Sequence, residues 1–156
     1  MKIRPQIVEM IATAGYVGRL PLFPGTFGSA IGLLIYFIMP ALPKPFILLG
    51  LIGFVLFSVW ISGEAEKLFA AKDPGCIVID EVAGMLVTFF ALPRTVFIGI
   101  AGFAVFRLLD ILKPFPIKYA ERKCPGGIGV VMDDVIAGLM SNVLVRIFLM
   151  IMHASK

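Results

Sequence analysis

The chain has 156 residues, of which 60% are hydrophobic and 15% are charged, and its formal net charge is +4 at pH 7. Soluble globular proteins are about a quarter charged and just under half apolar, so the composition argues against a cytosolic enzyme, a disordered protein and a nucleic-acid binder. The length predicts one domain over residues 1–156. The mean hydropathy of +1.01 indicates a small integral membrane protein. The excess of basic residues suits an anionic membrane surface or an anionic substrate.

Five apolar blocks follow an N-terminal segment rich in glycine and proline. Crossing the hydrocarbon takes roughly 20 helical residues, which only the second and last blocks approach without borrowing charged flanks. We therefore predict an all-α bundle of four or five transmembrane or partly inserted helices. The blocks are Phe27–Met39, Phe46–Ser62, Val82–Leu92, Thr95–Leu109 and Val135–Met152.

Prolines separate these blocks, and charge orients them. The sequence Leu92-Pro93-Arg94 favours a hairpin of two helices over one kinked helix, since a single helix would be about 42 Å long. The segments 1–26, 63–81 and 110–134 hold nine basic residues, whereas the opposite connections and the C-terminus hold three. By the positive-inside rule, the long loops face the cytoplasm.

The hairpin also predicts that acidic residues converge. Asp80 lies 13 residues before Pro93, and Asp110 lies 15 residues after Thr95. These positions are about 20 and 22 Å from the turn, so the two carboxylates should have similar depth. The last helix is expected to begin at its own acidic pair, on the same side. Five carboxylates should thus share one level: Asp80, Glu81, Asp110, Asp133 and Asp134.

The two acidic pairs, Asp80-Glu81 and Asp133-Asp134, are open to two interpretations. Each pair could cap a helix N-terminus, where carboxylates accept backbone N–H bonds. One acid would suffice for that role, and two adjacent acids repel each other at a cost that a membrane boundary increases. A hard cation such as Mg²⁺ prefers oxygen ligands, so it would reduce both the repulsion between the two acids and the cost of removing them from water.

Cations and glycines surround the acids. Arg107, Asp110 and Lys113 recur at spacings of three, which is typical of one helix face and fits either a salt-bridge ladder or a functional site. The run from Gly15 to Ser29 delivers hydroxyls and backbone N–H groups to a helix start, as a phosphate cradle or a tight entry turn would. A second glycine loop, Cys124 to Gly129, carries the same ambiguity.

Several phosphatase chemistries are excluded by the residue types present. The lone histidine, His153, lies near the C-terminus, and neither cysteine is followed by an arginine at the spacing of a cysteine phosphatase. The Walker A loop and the dinucleotide fingerprint are absent as well. Metal-assisted chemistry and ion handling remain.

Four motifs closely resemble the phosphatidylglycerophosphatase A family, in order along almost the whole chain. They are Gly15-x-x-Gly18-Arg19-x-Pro21-x-x-Pro24-Gly25-Thr26-x-Gly28-Ser29, Ile79-Asp80-Glu81-Val82-x-Gly84-Met85, Phe106-Arg107-x-x-Asp110-x-x-Lys113-Pro114-x-Pro116-Ile117 and Gly127-x-Gly129-Val130-x-x-Asp133-Asp134-Val135-x-Ala137-Gly138. The resemblance implies a helical, Mg²⁺-dependent enzyme of the bacterial inner membrane. It implies hydrolysis of phosphatidylglycerophosphate, a membrane lipid, to phosphatidylglycerol and inorganic phosphate.

Combining this resemblance with the residue pattern gives a site hypothesis. Mg²⁺ would be held by Asp80, Glu81, Asp133 and Asp134, with Asp110 as a further ligand or general base. The substrate phosphate would be bound by Arg19, Gly25, Thr26, Ser29, Arg107 and Lys113. The competing hypothesis is a transporter that passes divalent cations or protons through the same acidic cluster.

Overall fold

The structure, a computed structural model, describes residues 4–154, and for residues 121 and 122 it describes the backbone alone. The predicted domain also includes residues 1–3, 155 and 156, which lie outside that range. No strand occurs within it, so the predicted all-α class is confirmed. The helices are α1 (Pro5–Ala12), a short 3₁₀ helix (Val17–Arg19), α2 (Pro24–Ile38), α3 (Lys44–Phe69), α4 (Ile79–Thr88), α5 (Val96–Leu112), α6 (Ile117–Lys123) and α7 (Gly127–Ala154).

Two helices, α3 and α7, are long and apolar enough to cross a membrane by length and composition. They have 26 and 28 residues and correspond to the second and last apolar blocks of the sequence. Large apolar side chains such as Phe46, Leu49 and Leu56 on α3 are exposed. Apolar surface of this extent is typical of a lipid-facing protein and indicates membrane association.

The short helix α4 lies at the centre and packs against α2, α3 and α7. Eight of its ten residues are buried. It approaches α7 closely, because a Cβ atom on Gly138 would overlap the carbonyl oxygen of Gly84. A Cβ atom on Gly84 would come within 2.7 Å of the Asp134 carbonyl oxygen. Glycine at both positions therefore lets the two backbones touch.

This contact decides where the acidic pairs lie. Asp80 and Glu81 precede Gly84 by about one helical turn, and Asp134 precedes Gly138 by the same interval. Both helices begin at the same end of the bundle. The crossing therefore places the two acidic pairs side by side, which the matching intervals in the sequence reflect.

The C-terminal end of α4 depends on side chains from α7. The Asn142 side-chain amide donates to the carbonyl oxygens of Thr88 and Phe90 at 2.8 and 2.9 Å, and Arg146 Nη2 donates to Phe90 at 2.9 Å. These bonds satisfy carbonyls that lose their partners when the helix ends. As predicted, two helices and not one kinked helix surround Pro93. However, α4 ends at Thr88, so the connection to Val96 is longer than the sequence indicated.

The start of α7 differs from the expectation. The helix begins at Gly127, so Asp133 and Asp134 lie in its second turn and the prediction that they begin the last helix is wrong. A Cβ atom on Gly127 would overlap the carbonyl oxygen of Val59 in α3. Glycines interpreted as a loop therefore serve, at this position, a close approach between two helices.

We expect Gly138→Ala to destabilise the fold because the added methyl group must push α4 away from α7. Overpacking of this kind costs about 1–3 kcal/mol in the free energy of unfolding. Thermal unfolding in detergent measures the change. Gly53→Ala on α3 is the matched control, since no atom lies within 4 Å of its Cβ position. A Gly138→Ala variant that melts at or above the wild-type temperature would show that the helices do not touch here.

Candidate functional site

Three carboxylates from two helices converge at one point. Asp80 and Glu81 come from the first turn of α4 and Asp134 from α7. Each offers one oxygen atom, and these atoms all lie within 4.8 Å of one another. Asp80 is 5% exposed and Asp134 is 3% exposed. We call Asp80, Glu81 and Asp134 the carboxylate trio.

The capping interpretation does not account for the trio. Asp134 lies in the second turn of α7, beyond the N–H groups that need a cap. Asp80 Oδ1 does accept a hydrogen bond from the backbone N–H of Glu81 at 3.0 Å. The N-cap residue of α4 is Val78, which provides no side-chain acceptor. The acids thus converge beyond what helix capping requires.

The C-terminal part of α5 brings a fourth carboxylate and an arginine to the trio. Asp110 lies within hydrogen-bonding reach of Asp134. Arg107 Nη1 donates to Asp110 Oδ2 at 2.5 Å and to Ser29 Oγ at 3.3 Å. An acid near a helix C-terminus is unfavourable with respect to the helix dipole, so Arg107 offsets a local cost.

The first turns of α2 close the site on the side of Glu81. A Cβ atom on Gly25 would overlap Glu81 Oε1 and lie 3.2 Å from Arg107 Nη1. Only glycine leaves room for both charged groups at this position. Ser29 Oγ donates to the Gly25 carbonyl oxygen at 2.8 Å, and Thr26 lies half-buried between them in the chain. The predicted loop thus contributes its helix start directly to the acidic cluster.

Asp133 has a different environment from its neighbour Asp134. Its Oδ2 atom accepts a hydrogen bond from Lys113 Nζ at 2.6 Å, and it is not a member of the trio. Lys113 ends α5 with a left-handed backbone (φ of 43°), and α6 follows it in the chain. The structure thus pairs Lys113 with Asp133 on another helix. A metal-ligating role for Asp133 stays a prediction.

Arg19 is held at a distance from this arrangement by other partners. It forms an ion pair with Glu9 of α1 and lies over the Phe69 ring of α3, with 5.4 Å between the guanidinium carbon and the ring centroid. Its side chain is about half exposed. The structure therefore does not bring Arg19 together with the trio, and its phosphate-binding role stays a prediction.

The electrostatic balance of the site is strongly negative. The five acids named above outnumber the two cations that contact them, Arg107 and Lys113, by three formal charges. Burial, with the nearby charge of Glu81, raises the pKa of Asp80 well above its usual range. Burial also raises the pKa of Glu81. A positive charge is needed to keep these groups ionised together.

Unpartnered oxygens show where such a charge would fit. Among the atoms of residues 4–154, Glu81 Oε2 and Asp134 Oδ1 are buried without a hydrogen-bond partner, as is Asp133 Oδ1. Buried polar groups normally find partners, and a purely oxygen donor set suits a hard divalent cation. The residues present therefore fit a metal ion bound by the trio.

A polar pocket that includes Glu66 and Asp73 lies next to the site and is not predicted by the sequence pattern. The segment 63–81 was predicted to be a connection, whereas α3 continues to Phe69 and makes Glu66 part of a helix. The apolar block ends at Ser62, and charged residues at the end of a long helix do not break its backbone. The turn formers Asp73-Pro74-Gly75 were the available signal.

We expect Lys113→Met to lower the free energy of unfolding by about 3 kcal/mol, since it leaves the buried Asp133 carboxylate without its cation. Thermal or denaturant unfolding in detergent measures this loss. Adding Asp133→Asn to the Lys113→Met variant should recover at least half of it, because the charge is then removed as well. The exposed Lys118→Met variant is the control. A double variant no more stable than Lys113→Met would refute the pairing.

The sequence also has known relatives. It matches the family described as phosphatidylglycerophosphatase A over residues 10–149. It is 36% identical over 134 residues to the phosphatidylglycerophosphatase A of Escherichia coli K12, covering 85% of this chain and 78% of that protein. It is 33% identical to the Haemophilus influenzae protein of the same name over 141 residues, which is 88% of this chain and 86% of that one.

A third relative bears a different name. A putative phosphatidylinositol-3-phosphatase of Bacteroides thetaiotaomicron is 33% identical over 153 residues, covering 92% of this chain and 95% of that protein. No solved structure matches the chain. The prediction of an enzyme of the phosphatase class is confirmed by the family match. With its motifs in order and the match spanning most of its length, the chain belongs to the phosphatidylglycerophosphatase A family.

Proposed function

We propose that the protein hydrolyses phosphatidylglycerophosphate to phosphatidylglycerol and inorganic phosphate with the help of Mg²⁺. The observation that carries this proposal is the carboxylate trio beside Arg107, in a chain of this family. The substrate has an anionic phosphate monoester on a diacyl lipid. A site with cation-holding acids and a phosphate-binding arginine, on a protein with exposed apolar helices, suits both parts of such a molecule.

The trio would hold one Mg²⁺ ion, with Asp110 and Asp133 as the further candidates. When bound, the ion would draw electron density from the phosphate group and neutralise the charge that develops there. Mg²⁺ takes carboxylate and water oxygens, which agrees with the two unpartnered oxygens of Glu81 and Asp134.

The protein's own side chains would bind the phosphate and accept a proton. Arg107 Nη1 donates hydrogen bonds to Asp110 and Ser29. The Arg107 Nε atom is buried without a partner in the described part of the chain. That N–H group would donate to a phosphate oxygen, with Ser29, Thr26, the Gly25 backbone and Lys113 nearby. Arg19 would have to leave Glu9 to contribute.

Water is the proposed nucleophile. In this proposal Asp110 takes a proton from the water as the new oxygen–phosphorus bond forms, and the bond to the lipid alcohol breaks in the same step. The alcohol oxygen takes a proton from solvent water as it leaves, Asp110 returns its proton to solvent, and phosphatidylglycerol is released. An aspartate nucleophile is the alternative within the same site.

The location of the acids supports a membrane enzyme with its site on one face. The trio comes from the first turn of α4 and the second turn of α7, and Asp110 lies near the end of α5, so all are at one end of the bundle. We propose one domain over residues 1–156, with four or five spanning or partly inserted helices in the bacterial inner membrane. The basic loops at the same end would face the cytoplasm.

A transporter is not favoured. The trio and Asp110 lie at one end of the bundle and give no stepwise path across it. The three relatives are all named as lipid phosphatases. Ion flux across vesicles without phosphate release would be the result that favours transport.

Phosphate release from detergent-solubilised phosphatidylglycerophosphate tests the proposal. We expect turnover with Mg²⁺ and its loss in EDTA, with recovery when Mg²⁺ is added back. Phosphatidylinositol 3-phosphate and phosphatidate belong in the same assay to rank the substrates. Undiminished turnover in EDTA would contradict the metal, and absence of turnover on phosphatidylglycerophosphate would contradict the substrate.

Two substitutions connect that activity to the trio. Asp80→Asn and Asp134→Asn should each lower the rate more than about 100-fold, because each removes a proposed ligand. Glu64→Gln is the matched control, since Glu64 pairs with Lys67 at 2.7 Å on the exposed side of α3. Wild-type rates in either aspartate variant would remove that residue from the site.

A further inference from the structure

A polar pocket of about 260 Å³ lies next to the acidic cluster, and the proposed reaction does not use it. It is formed between the C-terminal part of α3, the connection to α4 and the first turn of α7. It is lined by Glu66, Lys72, Asp73, Gly126, Gly129 and Val130.

The pocket is adjacent to the site along α7. Gly129 and Val130 precede Asp133 and Asp134 by four residues, which is one helical turn or about 6 Å along the axis. Asp73 is close enough to Asp133 for the two charges to repel. A molecule bound with its phosphate at the trio could therefore extend into this pocket.

The lining of the pocket favours a hydroxylated, uncharged group. Glu66 and Asp73 provide carboxylate oxygens that accept hydrogen bonds from hydroxyls, and Lys72 provides a donor. The two acids disfavour an anion, while Lys72 and the N-terminus of α7 disfavour a metal cation. Two carboxylate acceptors and one ammonium donor around a small cavity offer several hydrogen bonds to a group that carries hydroxyls.

The geometry of the pocket is fixed by the protein itself. Glu66 Oε1 accepts a hydrogen bond from the backbone N–H of Asp73 at 2.8 Å. This bond holds the connection after α3 against the helix and positions Asp73. Gly126, with a φ of 60°, turns the chain into α7 beside Glu66, whose Oε2 atom lies 3.7 Å from the Gly126 Cβ position. The acceptor groups are thus arranged before a ligand arrives.

We propose that this pocket binds the hydroxyl-bearing alcohol of the lipid headgroup, and so distinguishes phosphorylated polyol lipids from phosphatidate. This inference rests on the proposed phosphatase function and extends it to substrate selection. Glycerol in phosphatidylglycerophosphate and inositol in phosphatidylinositol 3-phosphate share the required chemistry. Phosphatidate has no headgroup alcohol to place there.

The test is the ratio of kcat/KM on phosphatidylglycerophosphate to kcat/KM on phosphatidate, measured for the wild type and for Asp73→Ala. We expect the ratio to fall about 10-fold, because hydrogen bonds to a charged acceptor are lost only with the hydroxylated substrate. If phosphatidate binds without being cleaved, the reciprocal of its inhibition constant replaces its kcat/KM in the ratio. A structural defect would weaken both lipids together and leave the ratio unchanged.

A second variant protects the test against misfolding. Glu66→Gln keeps an oxygen to accept the Asp73 N–H bond but removes the charge, and its ratio should fall in the same direction. Glu64→Gln, two residues away and paired with Lys67, should keep the wild-type ratio. Phosphatidylinositol 3-phosphate in the same assay separates the two headgroups. If kcat/KM falls for only one of the two polyol lipids, the pocket binds the headgroup of that lipid.

Two different failures can be told apart. A wild-type enzyme that cleaves phosphatidylglycerophosphate, with unchanged ratios in Asp73→Ala and Glu66→Gln, overturns the headgroup pocket and leaves the proposed function in place. A wild-type protein that releases no phosphate from any of the three lipids overturns the proposed function itself.

Discussion

The repulsion among buried carboxylates is the constraint around which this molecule is organised. Asp80, Glu81 and Asp134 offer oxygens within 4.8 Å of one another, and Asp110 and Asp133 lie next to them. Arg107 and Lys113 compensate only part of that charge. Burying like charges together is costly unless another positive group is present. The fold holds the carboxylates together although its own cations do not neutralise their negative charge. This property is expected of a cation site.

Close backbone contacts supply the rigidity that such a site requires. Gly84 and Gly138 let α4 and α7 touch one turn beyond the acids, and Gly25 makes room for Glu81 beside α2. The Asn142 amide donates hydrogen bonds to backbone carbonyl oxygens at the C-terminal end of α4, so this short helix is fixed at both ends. Small residues and buried amide bonds therefore place the carboxylates, rather than contacts among the carboxylates themselves.

Much of the site could be predicted from the sequence because it depends on regular intervals. The acids precede Gly84 and Gly138 at matching distances, and the hairpin lengths give Asp110 a similar depth. The pairing of Lys113 with Asp133 could not be predicted, because it depends on a left-handed residue ending α5. The start of α7 at Gly127 was missed since glycines in a helix contact resemble glycines in a loop. Family membership follows from motif order, whereas the pocket at Glu66 follows only from tertiary packing.

The most direct test of the account is anomalous X-ray scattering from crystals of the protein grown with Mn²⁺ in place of Mg²⁺. Mn²⁺ accepts similar oxygen ligands and has a distinct absorption edge, so its position can be seen without reference to activity. The account predicts a peak bounded by the carboxylates of Asp80, Glu81 and Asp134. A peak elsewhere in the bundle, or none at saturating Mn²⁺, would contradict it.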